Sequence, residues 1–220
     1  MSFGHQVLGF GTVASAPREV GVITQLGLTG DLIDPQAGDV VFLTTGSLLD
    51  SVQAQTLMVD AGYTNISRIQ ATTNWYPAGS AHYFVQGNIQ YRILDGTETK
   101  GGGPSGINSG AGYFMHYRFP KPITSVTATG LTTRVSGSAL SGTYPSTTRP
   151  AGGGVIRWVA GGAYGGNGLP ALGTGSPQYV GVEGAYATMK ITETTTSGSY
   201  GIQAAGMYGA SFFVTMVCTP

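Results

Sequence analysis

The chain has 220 residues, of which only 9% are charged, and glycine occupies 37 positions, whereas globular chains usually carry about 25% charged residues and about 7% glycine. Ten basic and ten acidic side chains cancel, so the chain lacks the basic surface with which most nucleic-acid-binding proteins neutralise phosphates. A single cysteine excludes an internal disulfide framework, no apolar run approaches the about 18 residues of a membrane helix, and residues 1–10 lack the pattern of a signal peptide.

The zero net charge is a cancellation between two parts of the chain. Residues 1–100 contain four basic and eight acidic residues, a net charge of −4, and residues 101–220 contain six basic and two acidic residues, a net charge of +4. Between them, GGGPSGINSG at 101–110 has the composition of a linker or an exposed loop. We therefore predict an N-terminal domain over 1–100, a Gly-rich linker over 101–112 and a C-terminal domain over 113–220.

The first half contains a pattern that is typical of a helix. A β-prone run over 38–45 is followed by Ser47, a residue type that caps helices, and Asp50 three residues later completes a capping-box pattern. Gly62 stands where a helix of about 13 residues would need a left-handed C′ residue. With a further β-prone run over 65–69, these signals predict a small α/β domain with one helix.

Residues 81–93 are compatible with two topologies. Gly87-Asn88 matches a two-residue hairpin turn, which would fold the segment back on itself. Taken as one strand, the segment instead places apolar residues on one face and polar residues on the other, with Phe84 as the exception. Because a slip of one residue flips every side chain to the other face, we predict one long strand, with Gly87 at a close approach of another backbone.

The second half predicts one strand after another. The β-prone runs lie at 113–119, 155–160, 186–193 and 211–218. The last run, SFFVTMVC, is apolar on both faces and is therefore expected to be buried on both. Glycine-rich stretches at 152–154 and 161–168 are expected to be loops. Short strands between Gly, Ser and Thr turns predict a C-terminal β-sandwich or jelly-roll-like domain, so that the whole chain is mainly β.

Catalysis requires titratable groups that converge, and this sequence offers few of them. His82 and His116 lie in predicted strands beside aromatic residues. Such histidines serve either as metal ligands or general bases, or as half-buried parts of a sheet. Residues 30–39 hold three aspartates, but without the ligand spacing of a helix–loop–helix calcium site. Cys218 is expected to be buried and inert. We predict no catalytic residue, no metal site and no cofactor.

Aromatic residues in predicted loops are the remaining resource for binding. Their rings can stack on sugars while neighbouring polar groups bond hydroxyls, but tyrosine is also enriched at subunit interfaces, and both interpretations stay open. The predicted ligand-binding residues are Tyr144, Arg149, Tyr164 and Asn167, and the predicted structural positions are Ser47, Gly62 and Gly87.

Three segments of the second half resemble the small β-sandwich tips of tailed-bacteriophage fibres. They are the aromatic strand YFMHYRFP at 113–120, the segment TTTSGSYGI at 194–202 and the last strand FFVTMV at 212–217. Such tips commonly carry a tryptophan in the last strand, and Phe-Phe-Val stands in its place here. Low charge, abundant Gly, Ser and Thr and the absence of a targeting signal also resemble phage virion proteins as a class.

The resemblance implies a non-enzymatic structural protein of the virion, a short tail-fibre component that attaches to host surface glycan. Residues 1–100 would contact other virion proteins and residues 113–220 would project from the particle. The class implies a homo-oligomer, most commonly a trimer, assembled in the host cytoplasm without a nucleic-acid or membrane partner.

Three alternatives to the tail fibre stay open. A capsid decoration (cement) protein would use the same two-part layout, and a free carbohydrate-binding lectin would use the same loops. A glycan depolymerase comes last, since it needs a carboxylate pair beside a groove and the second half offers only Glu183 and Glu193.

Overall fold

The computed structural model describes residues 21–27, 31–49, 62–74, 82–100, 110–135, 140–164, 171–172, 180–183, 187–202 and 208–220. These ranges contain thirteen strands and no helix: β1 Gly21–Gly27, β2 Val40–Leu49, β3 Thr64–Asn74, β4 His82–Ile93, β5 Gly110–Arg118, β6 Ser125–Val135, β7 Leu140–Tyr144, β8 Gly154–Tyr164, β9 Ala171–Leu172, β10 Val180–Glu183, β11 Ala187–Glu193, β12 Gly198–Ile202 and β13 Tyr208–Thr219. No described segment is therefore a helix long and apolar enough to span a bilayer.

The strands form three sheets in which every pair is antiparallel. The first sheet has the order β1-β5-β2-β4-β3, the second β10-β11-β8-β13-β6, and the third β7-β12-β9. The prediction of a mainly β protein is thus confirmed for the described residues.

The first and second sheets pack against each other through their facing side chains. Phe42 of β2 meets Trp158 of β8 edge to face, with ring centroids 5.6 Å apart. Met115 of β5 and Met216 of β13 are buried in the same cluster. Alternate residues of each strand supply this core, as expected for strands that present one face to a partner sheet.

The opposite face of the second sheet is covered by the third sheet. Val159 and Phe213, each next in the chain to a residue of the main core, are buried with Leu140, Tyr200 and Ile202. The second sheet is therefore the middle of three layers. The prediction that the strand at 211–218 is apolar and buried on both faces is confirmed.

The long strand predicted over 81–93 is confirmed as β4. It continues through Gly87, which pairs with Gly46 of β2 on one side and with Ile69 of β3 on the other. A hairpin at Gly87-Asn88 is therefore wrong. The consistent alternation of apolar and polar residues prevails over the local turn signal, because both neighbouring strands require it.

The predicted helix does not begin at Ser47. Strand β2 extends through this residue, which pairs with Gln86 of β4 and with Gly110 of β5. Hydrogen bonding to strands on both sides overrides a capping pattern that involves only local residues. Residues 50–61, which make up the rest of the predicted helix, lie outside the described residues. Gly62 has a φ of 84°, the left-handed conformation expected for it.

Strand pairing does not follow the predicted domain boundary. Strand β5, whose residues 110–112 the sequence assigns to the linker and 113–118 to the C-terminal domain, lies between β1 and β2 in the first sheet. The main core likewise combines residues of both halves, because the first sheet comes from residues 21–118 and the second from residues 125–219. The two halves thus contribute the facing layers of one core.

Gly38 fixes the connection between these layers. Its carbonyl accepts a hydrogen bond of 2.9 Å from the amide of Ile123, which leads into β6. Its φ is 77°, and a methyl group at this position would lie well inside van der Waals contact with the backbone of Pro122. Gly130 offers a matched control, because its φ is 61° but nothing lies within 4 Å of where a methyl group would be.

We expect Gly38→Ala to destabilise the protein more than Gly130→Ala. Both variants place alanine in the left-handed region, at a cost of about 1–2 kcal/mol, and only Gly38→Ala adds overpacking, at a further cost of about 1–3 kcal/mol. Chemical denaturation of the two variants measures the difference. Equal free energies of unfolding would show that the contact between Gly38 and Pro122 does not constrain the connection.

Candidate functional site

The residues predicted to bind ligand are best located through the pairing of β7 with β12. Tyr144 pairs with Gly198, and Tyr200 pairs with Gly142. A methyl group on either glycine would collide with the hydroxyl end of a tyrosine, since Gly198 lies beneath Tyr144 and Gly142 beneath Tyr200. The two glycines therefore make room for tyrosine rings that lie across the neighbouring strand.

Both tyrosine rings stack on Phe213 of β13. The ring of Tyr200 is parallel to that of Phe213 with centroids 3.7 Å apart, and the centroids of Tyr144 and Phe213 are 5.6 Å apart. On Tyr144 lies the guanidinium carbon of Arg157, 4.6 Å from the ring centroid. Tyr144 is only 3% exposed. The prediction that Tyr144 is a loop residue available to a ligand is therefore wrong, because its ring is part of the core.

Arg157 is a fully buried cation that is bonded to neutral groups. It donates to the hydroxyl of Thr215, to the carbonyl of Pro145 at 2.8 Å and to the hydroxyl of Thr147 at 2.9 Å. Burial lowers the pKa of Arg157. These bonds attach the segment that follows β7 to the middle sheet, so the role of this side chain is to join layers.

Arg149 lies at the end of the sandwich and is 44% exposed. Its Nε donates to the carbonyl of Gly153 at 2.8 Å, and its Nη2 lies 2.9 Å from Glu193 Oε1. The other oxygen of Glu193 accepts a hydrogen bond from the hydroxyl of Tyr117. Burial and the adjacent Glu193 carboxylate raise the pKa of Tyr117. The exposed edge of Arg149 is compatible with ligand contact, while its inner edge supports β5 and β11.

The structure says less about the other two predicted ligand-binding residues, Tyr164 and Asn167. Tyr164 is the last residue of β8, where its backbone pairs with Tyr208. The loop predicted over 161–168 is thus wrong for residues 161–164, because β13 and β11 extend the ladder along them. Asn167 lies outside the described residues. The structure does not bring Tyr144 and Arg149 to a common surface, since one faces the core and the other faces Glu193.

Sequence reasoning missed the most extensive polar cluster, which lies on the face of the first sheet that points away from the second. His116 Nε2 is 2.7 Å from Asp39 Oδ2. Arg118 Nε lies 3.1 Å from each carboxylate oxygen of Asp39, and its Nη2 lies 2.9 Å from Oδ2. Arg118 also reaches the carbonyl and the carboxylate of Asp34, the latter at 3.4 Å. The available signal was the alternation of His116 and Arg118 on one face of a strand.

The Asp39 carboxylate is kept ionised by its partners. Burial by itself would raise its pKa, but the hydrogen bonds from His116, Arg118 and the Gln36 amide lower the pKa below the ordinary value of 3.8. A carboxylate that orients a histidine is a component of many general-base systems. Here Asp39, His116 and Arg118 are all buried, so that the network as it stands braces β5 against the segment before β2.

Neither metal chemistry nor a known relative helps to define a site. Within the described parts of the chain, no three His, Cys, Asp or Glu side chains are grouped so that they would hold a metal ion. Cys218 is free and buried, and burial raises the pKa of its thiol. Comparison of the chain with protein-family models, with curated proteins and with solved structures found no match.

Truncation of Tyr144 should affect stability far more than truncation of Arg149. We expect Tyr144→Ala to cost about 3–5 kcal/mol, as for other buried aromatic residues, and Arg149→Ala about 1 kcal/mol or less, as for an exposed ion pair. Tyr144→Phe keeps the stacked ring and should change stability by less than about 1 kcal/mol, because its buried hydroxyl has no hydrogen-bond partner among the described residues. Urea denaturation of the three variants tests this order. A loss of unfolding free energy below about 1 kcal/mol for Tyr144→Ala would contradict the burial of its ring in the core.

The Asp39 network should make stability depend on acid pH. Since the folded pKa of Asp39 lies below its unfolded value, its stabilisation is complete above about pH 4 and is lost as the pH falls through the lowered pKa. Asp39→Asn should cost about 3–5 kcal/mol at neutral pH, because it leaves Arg118 buried without its carboxylate. It should also flatten the dependence of stability on pH below that point.

Asp34→Asn is the control for this experiment. The Asp34 side chain is 72% exposed and reaches Arg118 only at 3.4 Å, so its replacement should cost less than about 1 kcal/mol. The melting temperature of each variant is measured from neutral to acid pH. If Asp34→Asn and Asp39→Asn gave the same dependence of melting temperature on pH, the assignment of the acid dependence to Asp39 would be wrong.

Proposed function

We propose that this chain is a non-enzymatic structural subunit of a phage particle, a short tail-fibre component that contributes to host attachment. The observation that carries the proposal is where the ionisable groups are placed. Asp39, His116, Arg118 and Arg157 are buried and bonded within the subunit. Their arrangement supports a role in holding sheets together. The exposed residues at 127–131 and 195–197 carry no charge.

A low content of charged residues suits a subunit that is covered by copies of itself. With 9% charged residues, the chain has little of the surface charge that keeps isolated domains soluble. Burial against neighbouring copies removes this difficulty, and a homotrimer is the form we propose on the resemblance to phage fibres. The layer built largely from residues 1–100 would then attach to other virion proteins, and the jelly-roll-like C-terminal part on the opposite side of the shared core would face host glycan.

Capsid decoration is the second candidate. The burial of Tyr144 removes one of the four residues proposed to contact the host, and this observation favours a subunit whose contacts are all with other virion proteins. A decoration protein would use the same braced layers to clamp neighbouring shell subunits. A free lectin is less well supported, because it depends on the loop residues alone.

The combined variant Arg149→Ala, Tyr164→Ala and Asn167→Ala separates these candidates. We expect particles that carry it to lose attachment to host cells, while light scattering still gives a multiple of the 22.6 kDa monomer mass. Normal attachment with particles that burst or fail to assemble would indicate capsid decoration. A monomer at micromolar concentration would contradict both, and an electron micrograph of particles labelled with an antibody locates the chain directly.

A further inference from the structure

Strand β6, Ser125–Val135, forms an edge of the middle sheet that the described residues leave open. It pairs with β13 along one side and is the last strand in the order of its sheet. Residues 127–131 are all exposed, and Leu131 is 43% exposed, one of two large apolar side chains so exposed among the described residues. Arg134 is the strand's one charged residue. An open edge offers backbone donors and acceptors to any strand that approaches it.

Of the other five sheet edges, β1 is also uncharged, but it has only seven residues and a bulge between Val22 and Thr24. The remaining four edges show the usual protection. Strands β7, β9 and β10 have five, two and four residues, too short for extended pairing. Strand β3 carries the exposed Arg68 in its middle. Strand β6 has eleven residues and no charge over the first nine. A bulge between Thr129 and Thr132, at Gly130, interrupts the register, while residues 125–129 stay in regular pairing with β13.

The edge is held in strand conformation before any partner arrives. It pairs with β13 from Ser125 opposite Thr219 to Val135 opposite Ala210. The hydroxyl of Tyr91 donates to the carbonyl of Val126 at 3.3 Å, and the Val126 side chain packs against the main core. A preformed edge loses little conformational entropy on pairing, which favours association.

We propose that β6 pairs with β6 of a second copy of this chain, antiparallel, about a twofold axis near residues 127–129. The partner must supply an equally uncharged free edge, and a second copy supplies one. Antiparallel pairing places the two Arg134 side chains at opposite ends of the ribbon, whereas parallel pairing would place these like charges side by side. Because each edge uses the same residues as its partner, the contact is complete in a dimer and cannot add a third copy. It does not depend on the phage function, and it leaves the rest of each copy available for a trimer contact.

Cysteines introduced one at a time along β6, with the native Cys218 replaced by serine, test the register of this pairing. Residues close to a twofold axis face their own counterparts, and a disulfide forms only when the two Cβ atoms are about 3.5–4.5 Å apart. We expect at least one of Thr127→Cys, Ala128→Cys and Thr129→Cys to give a covalent dimer under mild oxidation. Thr195→Cys, exposed in the turn between β11 and β12, is the control and should give none. No covalent dimer from any β6 variant, or equal amounts from Thr195→Cys, would overturn the pairing.

Lysine substitutions test the same edge without covalent chemistry. Thr127→Lys combined with Thr129→Lys brings like charges together at the axis, and both positions are exposed, so the fold is retained. In sedimentation equilibrium we expect the largest species of this variant to have half the mass of the wild-type assembly. Its melting temperature should be unchanged. Thr195→Lys should behave as wild type. An unchanged mass for the β6 variant would overturn the proposal.

Discussion

The structure depends on a middle sheet that is buried on both faces. In β8, Trp158 packs toward Phe42 of the first sheet while Val159 packs toward the third sheet. Phe212 and Phe213 of β13 divide in the same way. A slip of one residue would exchange these side chains between two cores of different shape, so the register of the middle sheet is fixed from both sides. The outer sheets then take their positions from it.

Charge is used sparingly in this chain, and several of the charged groups join segments that are distant in sequence. Asp39 bonds to Arg118 across 79 residues, and Arg149 and Glu193 connect the segment after β7 to β11. Arg157 reaches across 12 residues to the carbonyl of Pro145, a neutral group. Buried ion pairs add little net stability compared with apolar packing, but loss of one partner is costly. These groups therefore specify which segments meet more than they strengthen the fold.

The sequence predicts those features of the structure that are encoded within one strand, and it fails for features that depend on contacts between distant residues. Period-two alternation located β4 and β5, and continuous β-prone runs located β8 and β13, because one-sided or two-sided burial leaves a direct imprint on a strand. The same reasoning failed for β6, whose exposed Thr and Gly residues resemble a loop, and for Ser47, whose capping pattern is overridden by strands on both sides. Tyr144 was misplaced because its packing partner Phe213 is 69 residues away. The Asp39 network could not be found without strand pairing.

The uncharged stretches of the surface and the open edge of β6 bear on each other. Long-range electrostatic steering needs a surface of one sign, and the exposed residues of β6 and of the turn at 194–197 offer almost none. Under the proposed pairing, copies would recognise each other only at short range, through backbone hydrogen bonds and close packing. Such contacts would be little screened by salt, since they do not rely on separated charges. The bulge at Gly130 would then limit how far one β6 edge could extend along another.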